Sequence, residues 1–582
     1  MKVFDNSHQT LISKKFCSML IGGTLTWMVV SLLFMSDFIV AGLVIGSNAV
    51  AGITLVTPIY SLSAFFGSMF SIGVPVLYAR EMGRFDKKKA DQAFGAGLLM
   101  SIIIGIILFL LINLFGEKYL NSYSPIEEVL FEARGYLYWM RFAILIMPIQ
   151  TLLGAMVFSD GDEYISTIAN IVQGVGNILL SIVLSKIIGI KGIALASFLF
   201  YLISVLILLT HFIKKSNSLR INLYFSFDIL KKIIRYSIID SSSYLFLAVF
   251  SAFLNAFIST QYGSEYLILA SAIILCREFQ VLFDGIGEAA NPIFSVYVSE
   301  RNHIGICATY ALAKKAAIIE GIGVTILLII VAPFVPQVLN VTNLTLAHYI
   351  TIGIRLTSLN SVFISILYLL TSYYLVIGQV AFGLVVCMLR DVGVSIILII
   401  ILGGILNIVG LFIGITIAPA TTYAGLLLYT FLHYGRRDCP LLLSKVQEFN
   451  NYYLFYINVK KEEIISMQRK IENILKEKNI DKWAIGQTIL LIEEIYILIS
   501  QMNNNKDVLA ECTIFLHSDG IQIISKDDGV LFDMADEEIS VKSLSAYTIS
   551  MYLEKGDFEN YNLTTMSFNR SSFFIKYKKR NE

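Results

Sequence analysis

Apolar residues run in membrane-length stretches along the first three quarters of the chain, and then the pattern changes. A membrane-crossing helix needs about 20 predominantly apolar residues. Twelve stretches meet that need, near 16–42, 52–79, 93–115, 136–158, 165–186 and 190–213, then 230–258, 265–298, 309–333, 348–377, 380–402 and 406–432. After Arg437 the period shortens. Residues 452–459 (YYLFYINV) read as a strand, 460–479 and 481–503 as helices, and 508–517 and 520–526 as strands. A helix near 540–554 and strands near 563–568 and 572–578 complete the tail. The expected fold is an all-α polytopic membrane protein, twelve transmembrane helices in two pseudo-symmetric six-helix lobes, followed by a C-terminal cytoplasmic α/β sandwich domain.

Composition sharpens the division. The chain is 56% apolar and only 15% charged, whereas soluble domains carry about a quarter charged residues. Residues 436–582 nevertheless hold 41 of the 87 charged residues, so the membrane class ends there. The net charge of +1 says nothing about nucleic acid, because the charge is not evenly spread. Six cysteines and six histidines are scattered without ligand or disulfide spacing, so neither a metal site nor a disulfide framework is expected. Basic clusters at 84–89, 214–235, 314–315 and 436–437 alternate with loops poor in them; the loop at 116–135 is acidic, with Glu117, Glu127, Glu128 and Glu132. Lys and Arg mark the cytoplasmic side, which puts both termini in the cytoplasm of a multi-pass protein. The run after Lys14 and Lys15 is too long for a signal peptide and lacks a small-residue cleavage site, so it reads as a retained span.

The two sets of six spans carry a repeat. An offset of 217 residues lays GSNAVAG (46–52) on GSEYLIL (263–269), Pro75 on Pro292 and Arg84 on Arg301. Six spans per half give the halves the same topology, so their pseudo-axis runs along the membrane normal. The expected domains are an N-lobe at 1–213, an inter-lobe cytoplasmic loop at 214–229, a C-lobe at 230–435 and the tail domain at 450–582.

Candidate chemistry starts with Asp37, an acid in the outer half of the first span, flanked by Phe34, Met35, Phe38 and Ile39. A carboxylate at membrane depth costs several kcal/mol and marks a pathway or relay by default; a structural acid hydrogen-bonded to neighbouring helices is the alternative. In the eighth span Arg277, Asp284 and Glu288 fall on one helical stripe, either as a cation-binding wall or as an internal pairing between helices. Arg355, Arg390 and Asp391 are further intramembrane charges, and the adjacency of the last two points them to different faces, so they are not expected to pair with each other. Asn170, Gln173 and Asn177 share a face of the fifth span, open to a cavity or to helix packing. Pro75 and Pro292, with Gly73, are expected to bend their spans. In the tail, KDDGVLFD supplies Asp527, Gly529, Phe532 and Asp533 in a D-x-G-x-x-F-D box, which suits a nucleotide amino group or an ordinary acidic turn.

At this point the first part of the chain resembles the multidrug and toxic compound extrusion (MATE) family. The likeness rests on SDFIVAGLVIGSNAVAGITLVTPI (36–59), SIGVPVLYAREMGRFDKKKADQAFGAG (71–97), SDGDEYIST (159–167) and GVGNILLSIVLSKIIGIKGIALAS (174–197), and extends over about 14–435. It implies a central cavity between two lobes and export of organic compounds against inward H⁺ or Na⁺ by alternating access. The family's first-span Asp falls on Asp37 and its fifth-span Asn on Asn177, while Ser181 stands where that pattern has an Asp. In the seventh span Asp240 stands near a usual proline, which leaves Asp284 and Glu288 as second-lobe acids. The tail is similar to the ATPase fold of anti-sigma regulatory kinases and histidine kinases. Ile497 and Leu498 occupy the positions of that fold's Asn, and KSLSAYTIS (542–550) replaces its glycine-rich lid. Asp527, Gly529 and Asp533 then read as a nucleotide-binding remnant in a degenerate, non-catalytic domain.

The expected function is ion-coupled antiport of organic, cationic compounds across the cytoplasmic membrane, not enzymatic catalysis. A lipid-linked precursor flippase and a membrane sensor signalling through the tail are the alternatives; the sequence shows no strong Arg/Lys cluster lining the spans of the kind the first would use. Expected partners are a small organic substrate, membrane lipid and a cytoplasmic protein for the tail, with H⁺ or Na⁺ as coupling ion, no ATP binding by the tail and no nucleic acid.

Overall fold

The computed structural model describes residues 3–5, 11–83, 86–214, 217–220, 224, 226–446, 451–504, 506–532, 545, 547, 549, 558–563 and 568–576. The chain packs into two units: residues 23–287 with 314–441, and residues 1–22 and 288–313 with 442–582.

The helices are α1 (Leu11–Val44), α2 (Ser47–Gly83), α3 (Lys87–Asn121), α4 (Glu127–Ser159), α5 (Glu163–Ile188), α6 (Ile190–Leu209), α7 (Phe227–Gln261), α8 (Ile268–Gln280) and α9 (Asp284–Ser299). They continue with α10 (His303–Val331), α11 (Val335–Val338), α12 (Leu344–Ser358), α13 (Ser361–Val376), α14 (Val380–Met388) and α15 (Val394–Tyr434). Short polar residues set several starts. Asp86 caps α3 by accepting from Lys89 N at 3.0 Å, and Asn343 caps α12 by accepting from Thr345 N at 2.9 Å.

Among the described residues ten helices are long and apolar enough to cross a membrane, or eleven when the 47° bent pair α12–α13 is taken as one span. One of the ten, Lys482–Met502, belongs to the sheet-bearing unit. The expected count of twelve therefore does not emerge from length and apolarity. The two expected spans at 380–402 and 406–432 merge into one apolar run, Val380–Tyr434. That run contains a π-turn at Leu389–Gly393 and a break at Asn407, whose φ of 54° is left-handed. α10 is 29 residues long, but Lys314, Lys315 and Glu320 lie within it. The expected eighth span is one apolar run, Ser264–Ser299, in which a short 3₁₀ turn at Val281–Phe283 joins α8 to α9.

An offset of 217 residues relates the helix ends. It carries the end of α1, Val44, onto the end of α7, Gln261; the start and end of α4 onto Leu344 and Val376, which open α12 and close α13. Gly46 and Gly263, at equivalent turns, have φ of +139° and +102°, a region open chiefly to glycine. Thr54 and Ser271, 217 residues apart, hydrogen-bond to each other through their hydroxyls, and Asn255 Nδ2 donates to the Thr54 carbonyl at 3.0 Å. Equivalent side chains meeting in this way place the halves face to face at a local pseudo-two-fold.

The sheet has the order β1-β2-β3-β4-β6-β5, with β1 (Val3–Asp5), β2 (Tyr452–Asn458), β3 (Leu509–Leu516), β4 (Gly520–Asp527), β5 (Phe558–Leu563) and β6 (Phe568–Lys576). β1, unforeseen from the sequence, runs parallel to β2; the other pairings are antiparallel. α16 (Lys461–Glu477) and α17 (Lys482–Met502) cover one face through Met467, Ile471, Leu491, Ile492, Ile495 and Ile499. Core packing thus explains the apolarity of α17. The last two strands lie earlier than expected. Asn569 and Arg570 are polar yet buried or half-buried in β6, so the sequence hid the strand's start. The expected helix near 540–554 falls almost wholly outside the described residues. Relative to the expected tail at 450–582, the unit begins at Leu442 and also includes 1–22 and 288–313.

Candidate functional site

Near the C-terminal end of α1, Asp37 sits in a cluster of neutral hydrogen-bonding groups. Tyr136 of α4 donates its phenol to Asp37 Oδ2 at 2.7 Å, and Ser197 of α6 lies 3.5 Å from the same oxygen. Ser197 Oγ also stands 3.4 Å from Asn177 Oδ1 on α5, which accepts from Ser181 Oγ at 3.1 Å. Four helices thus converge on one carboxylate. Beside it Tyr60 and Tyr201 share a hydrogen bond of 3.3 Å, and Phe34 packs edge-on to Tyr60 with ring centres 5.4 Å apart. The groups bonded to Asp37 are hydroxyls rather than cations, so its ionised form has no local countercharge among them. Such a pocket suits a carboxylate that exchanges a proton or a small cation.

Of the sequence candidates, Asp37 and Asn177 are brought together through Ser197. Gln173 lies one turn before Asn177 on α5, half-buried and outside this bonded set. Tyr136 and Ser197 were missed. Each is a single polar residue in an aromatic or small-residue stretch, with no charge or spacing to mark it. Ser181 takes the place of a second acid by bonding Asn177.

The other half carries a different cluster. Arg390 donates to both oxygens of Asp391, from Nε at 2.7 Å and Nη2 at 2.8 Å, so these neighbours do pair, against expectation. The physical reason is the π-turn at Leu389–Gly393, which departs from the 100° spacing that separates adjacent side chains on an α-helix. Arg277 joins from α8, donating to the Asp391 carbonyl at 2.8 Å and stacking 4.0 Å from the Phe250 ring centre. Arg390 lies 3.6 Å from the Tyr368 ring centre. Arg277 therefore engages Asp391 of another helix, and two arginines do cluster among the helices. Glu278, next to Arg277, is buried. Asp284 opens α9 half-buried, and Glu288, one turn later, is exposed. Pro75 and Pro292 lie inside α2 and α9.

In the tail, Asp527 is 1% exposed and its Oδ1 accepts from Gly529 N at 3.0 Å and Asn569 Nδ2 at 2.9 Å. Oδ2 is buried with no hydrogen-bond partner among the described residues. Burial pushes the Asp527 carboxyl up to about 6, against the lowering effect of those two hydrogen bonds. Asn503, at the end of α17, is committed to the same turn: it accepts from Val530 N at 2.8 Å and donates to Ile499 O at 2.8 Å. A Cβ on Gly529 would meet Asn503 at 2.4 Å, which explains the glycine. Asp533 lies outside the described residues. Among the described residues no group of three or more His, Cys, Asp or Glu side chains is arranged to hold a metal ion.

The helical part has the fold of MATE transporters of the MOP superfamily. It superposes on an inward-facing multidrug resistance MATE family transporter with a TM-score of 0.65 and 21% identity, covering 72% of this chain and 96% of that one. An outward-facing structure of a multidrug resistance MATE family transporter gives a TM-score of 0.59 at 21% identity, over 75% and 97%. A MOP superfamily transporter from Pyrococcus furiosus, reported with a binding pocket of reverse polarity, gives 0.57 at 20% identity, over 71% and 95%. Residues 24–183, which contain Asp37, Tyr136 and Asn177, match the MatE family model. No curated protein matches the chain.

Proposed function

We propose that this protein is a MATE-type secondary transporter: an antiporter that exports organic cations across the cytoplasmic membrane in exchange for H⁺ or Na⁺. The observation that carries the reading is the Asp37 cluster, one carboxylate bound by hydroxyls and set inside a MATE fold. Asp37 holds the coupling ion when open to the outside, and the loss of its negative charge releases a cationic substrate. Tyr136, Ser197 and Asn177 orient the carboxylate and supply oxygen ligands. The two halves rock about their shared face to give alternating access. In this reading the chain crosses the bilayer twelve times, six per lobe, with α14 and the two parts of α15 on either side of Asn407 forming the last two spans and both termini in the cytoplasm.

The tail is regulatory or scaffolding. Asn503, Asn569 and the Gly529 amide fill the box with their own hydrogen bonds, a closed arrangement that supports a non-catalytic role. The test is dye efflux from everted vesicles under an imposed ΔpH or ΔNa⁺. Asp37→Asn should abolish gradient-driven efflux at unchanged membrane abundance. Wild-type rates in that variant would sink the proposal.

A further inference from the structure

The face of the sheet opposite α16 and α17 is not bare. Glu300, in the turn between α9 and α10, lies against it 5% exposed. Lys526 of β4 donates to Glu300 Oε2 at 2.6 Å and to Glu511 Oε1 of β3 at 2.8 Å, and Arg570 of β6 donates from Nε to Glu300 Oε1 at 3.0 Å. Tyr297, on the last turns of α9, donates its phenol to Glu511 Oε2, and the Lys526 ammonium sits 4.3 Å from the Tyr297 ring centre. Around this ionic set, Ile304 N donates to the Tyr452 phenol at 3.0 Å, and His303 Nε2 lies 2.7 Å from the Val446 carbonyl. Ile304 also packs on Tyr452, Phe515 and Ile524.

Two cations and two anions neutralise one another here, out of water. Burial works against the Lys526 ammonium, yet Glu300 and Glu511 outweigh it and raise its pKa above the ordinary lysine value. Removing one partner from a buried pair strands the other charge, which makes such a contact hard to open by degrees.

We infer that the tail sheet is a clamp on the α9–α10 turn, with Lys526 and Arg570 gripping Glu300, and that the tail regulates the transporter through this turn. The register shows how the tail would act on the grip. Lys526 pairs with Arg570 across the β4–β6 ladder, and the next rung pairs Asp527 with Asn569. Successive side chains of a strand point to opposite faces, so the clamp and the Asp527 box occupy neighbouring rungs on opposite sides of one ladder. A change in the box displaces the rung that holds Glu300. α9 and α10 lead without a break from the gripped turn to Pro292 and Glu320. The regulatory half of this inference rests on the transporter reading; the clamp does not.

The experiment is peptide-resolved amide hydrogen exchange on the full purified chain, paired with vesicle transport, for wild type, Glu300→Gln and Lys526→Met. Glu300 lies in the turn, so its variant leaves the sheet's own sequence intact, and exchange of β3 reports whether the tail stays folded in both. The expected result is exchange across 297–306 faster by about tenfold or more in both variants, with β3 unchanged and a transport rate altered at equal abundance. Unchanged exchange at 297–306 overturns the clamp. Faster exchange with an unaltered transport rate overturns the regulatory role. Exchange needs no transported compound, so failure of the transporter reading would show separately, as a wild-type chain that moves no substrate.

Discussion

Replacing Asp527 by Asn should stabilise the tail at neutral pH. The carboxyl is buried, its Oδ2 has no hydrogen-bond partner among the described residues, and its pKa stands near 6 against an ordinary 3.8. Between those values the folded chain binds a proton that the unfolded chain has released. Stability from this group is therefore lost as pH rises through about 4 to 6. At about 1.4 kcal/mol per pH unit, the ionised Asp527 costs roughly 3 kcal/mol above that window. An asparagine keeps the acceptor for Gly529 N and Asn569 Nδ2 and places its amide where Oδ2 is unpaired. Leaving that N–H unsatisfied returns about 1 kcal/mol, so the net gain is ~2 kcal/mol, or amide exchange about thirtyfold slower. The assay is exchange at β3 and β4 in the full chain at pH 7.5, repeated down to pH 4. The advantage of Asp527→Asn should shrink through the window and turn into a deficit of about 1 kcal/mol below it. A destabilised variant at pH 7.5 would refute the reasoning, because it would mean the carboxylate is held ionised by a favourable partner.

Three further outcomes follow from the membrane helices. Tyr136→Phe removes a hydrogen bond to a carboxylate, an interaction of about 1.5–3 kcal/mol, and should displace the pH profile of gradient-driven efflux; an unmoved profile separates Tyr136 from coupling. Arg390→Met takes from Asp391 its two-pronged partner and leaves it only Arg277, 3.6 Å away, and should lower stability by about 3 kcal/mol in detergent unfolding, with the Arg390→Met/Asp391→Leu double variant recovering part of it. Equal losses in single and double variants would remove the ion pair as the cause. A Cβ at Gly285 would meet Thr24 N at 2.6 Å, and backbone atoms cannot yield as a side-chain tip can. Gly285→Ala should cost about 1–3 kcal/mol by overpacking the α1–α9 crossing, read as a lowered unfolding midpoint; an unchanged midpoint would show that the helices separate freely.

The helices and their repeat were legible because both are written in short-range patterns. Apolar length gave the runs, and Gly46 with Gly263 and Pro75 with Pro292 gave the offset. Asp37 was legible because a lone acid in an apolar stretch stands out. Its partners were not, since nothing local distinguishes Tyr136 or Ser197 from neighbouring aromatic and small residues, and helix packing alone brings them within reach. The Arg390–Asp391 pair was misread because a π-turn leaves no trace in an α-helical wheel. Lys526, Arg570 and Glu300 look like ordinary surface charges in the chain, and over two hundred residues separate Glu300 from its partners. Strand β1 is three residues long and pairs with a strand near the other end of the sequence, so no local signal announces it.

The repeat also shows how the two halves came to differ. At the 217-residue offset, Asp37, Tyr136, Asn177 and Ser197 correspond to Leu254, Gly353, Val394 and Gly414, so the whole polar set is apolar or small in the second half. The loss is structural as well as chemical. A Cβ at Gly353 would meet the Phe412 ring at 2.3 Å, so an aromatic ring packs closely over the position where the first half carries a phenol. In the other direction, Arg277, Arg390 and Asp391 correspond to Tyr60, Gln173 and Gly174, which hold no charge. Each half lacks the ionisable set of the other, while the helix ends, the turn glycines and the in-helix proline are shared. A symmetric backbone is what a rocking motion about the Thr54–Ser271 contact needs; an asymmetric charge distribution is what a vectorial cycle needs. Placing a carboxylate without a countercharge in one half and an arginine-bound carboxylate in the other gives the halves different responses to the same ion. Of the two, only the Asp37 cluster can lose its charge without leaving a buried cation unpaired, which is why the proposed ion coupling is assigned to that half.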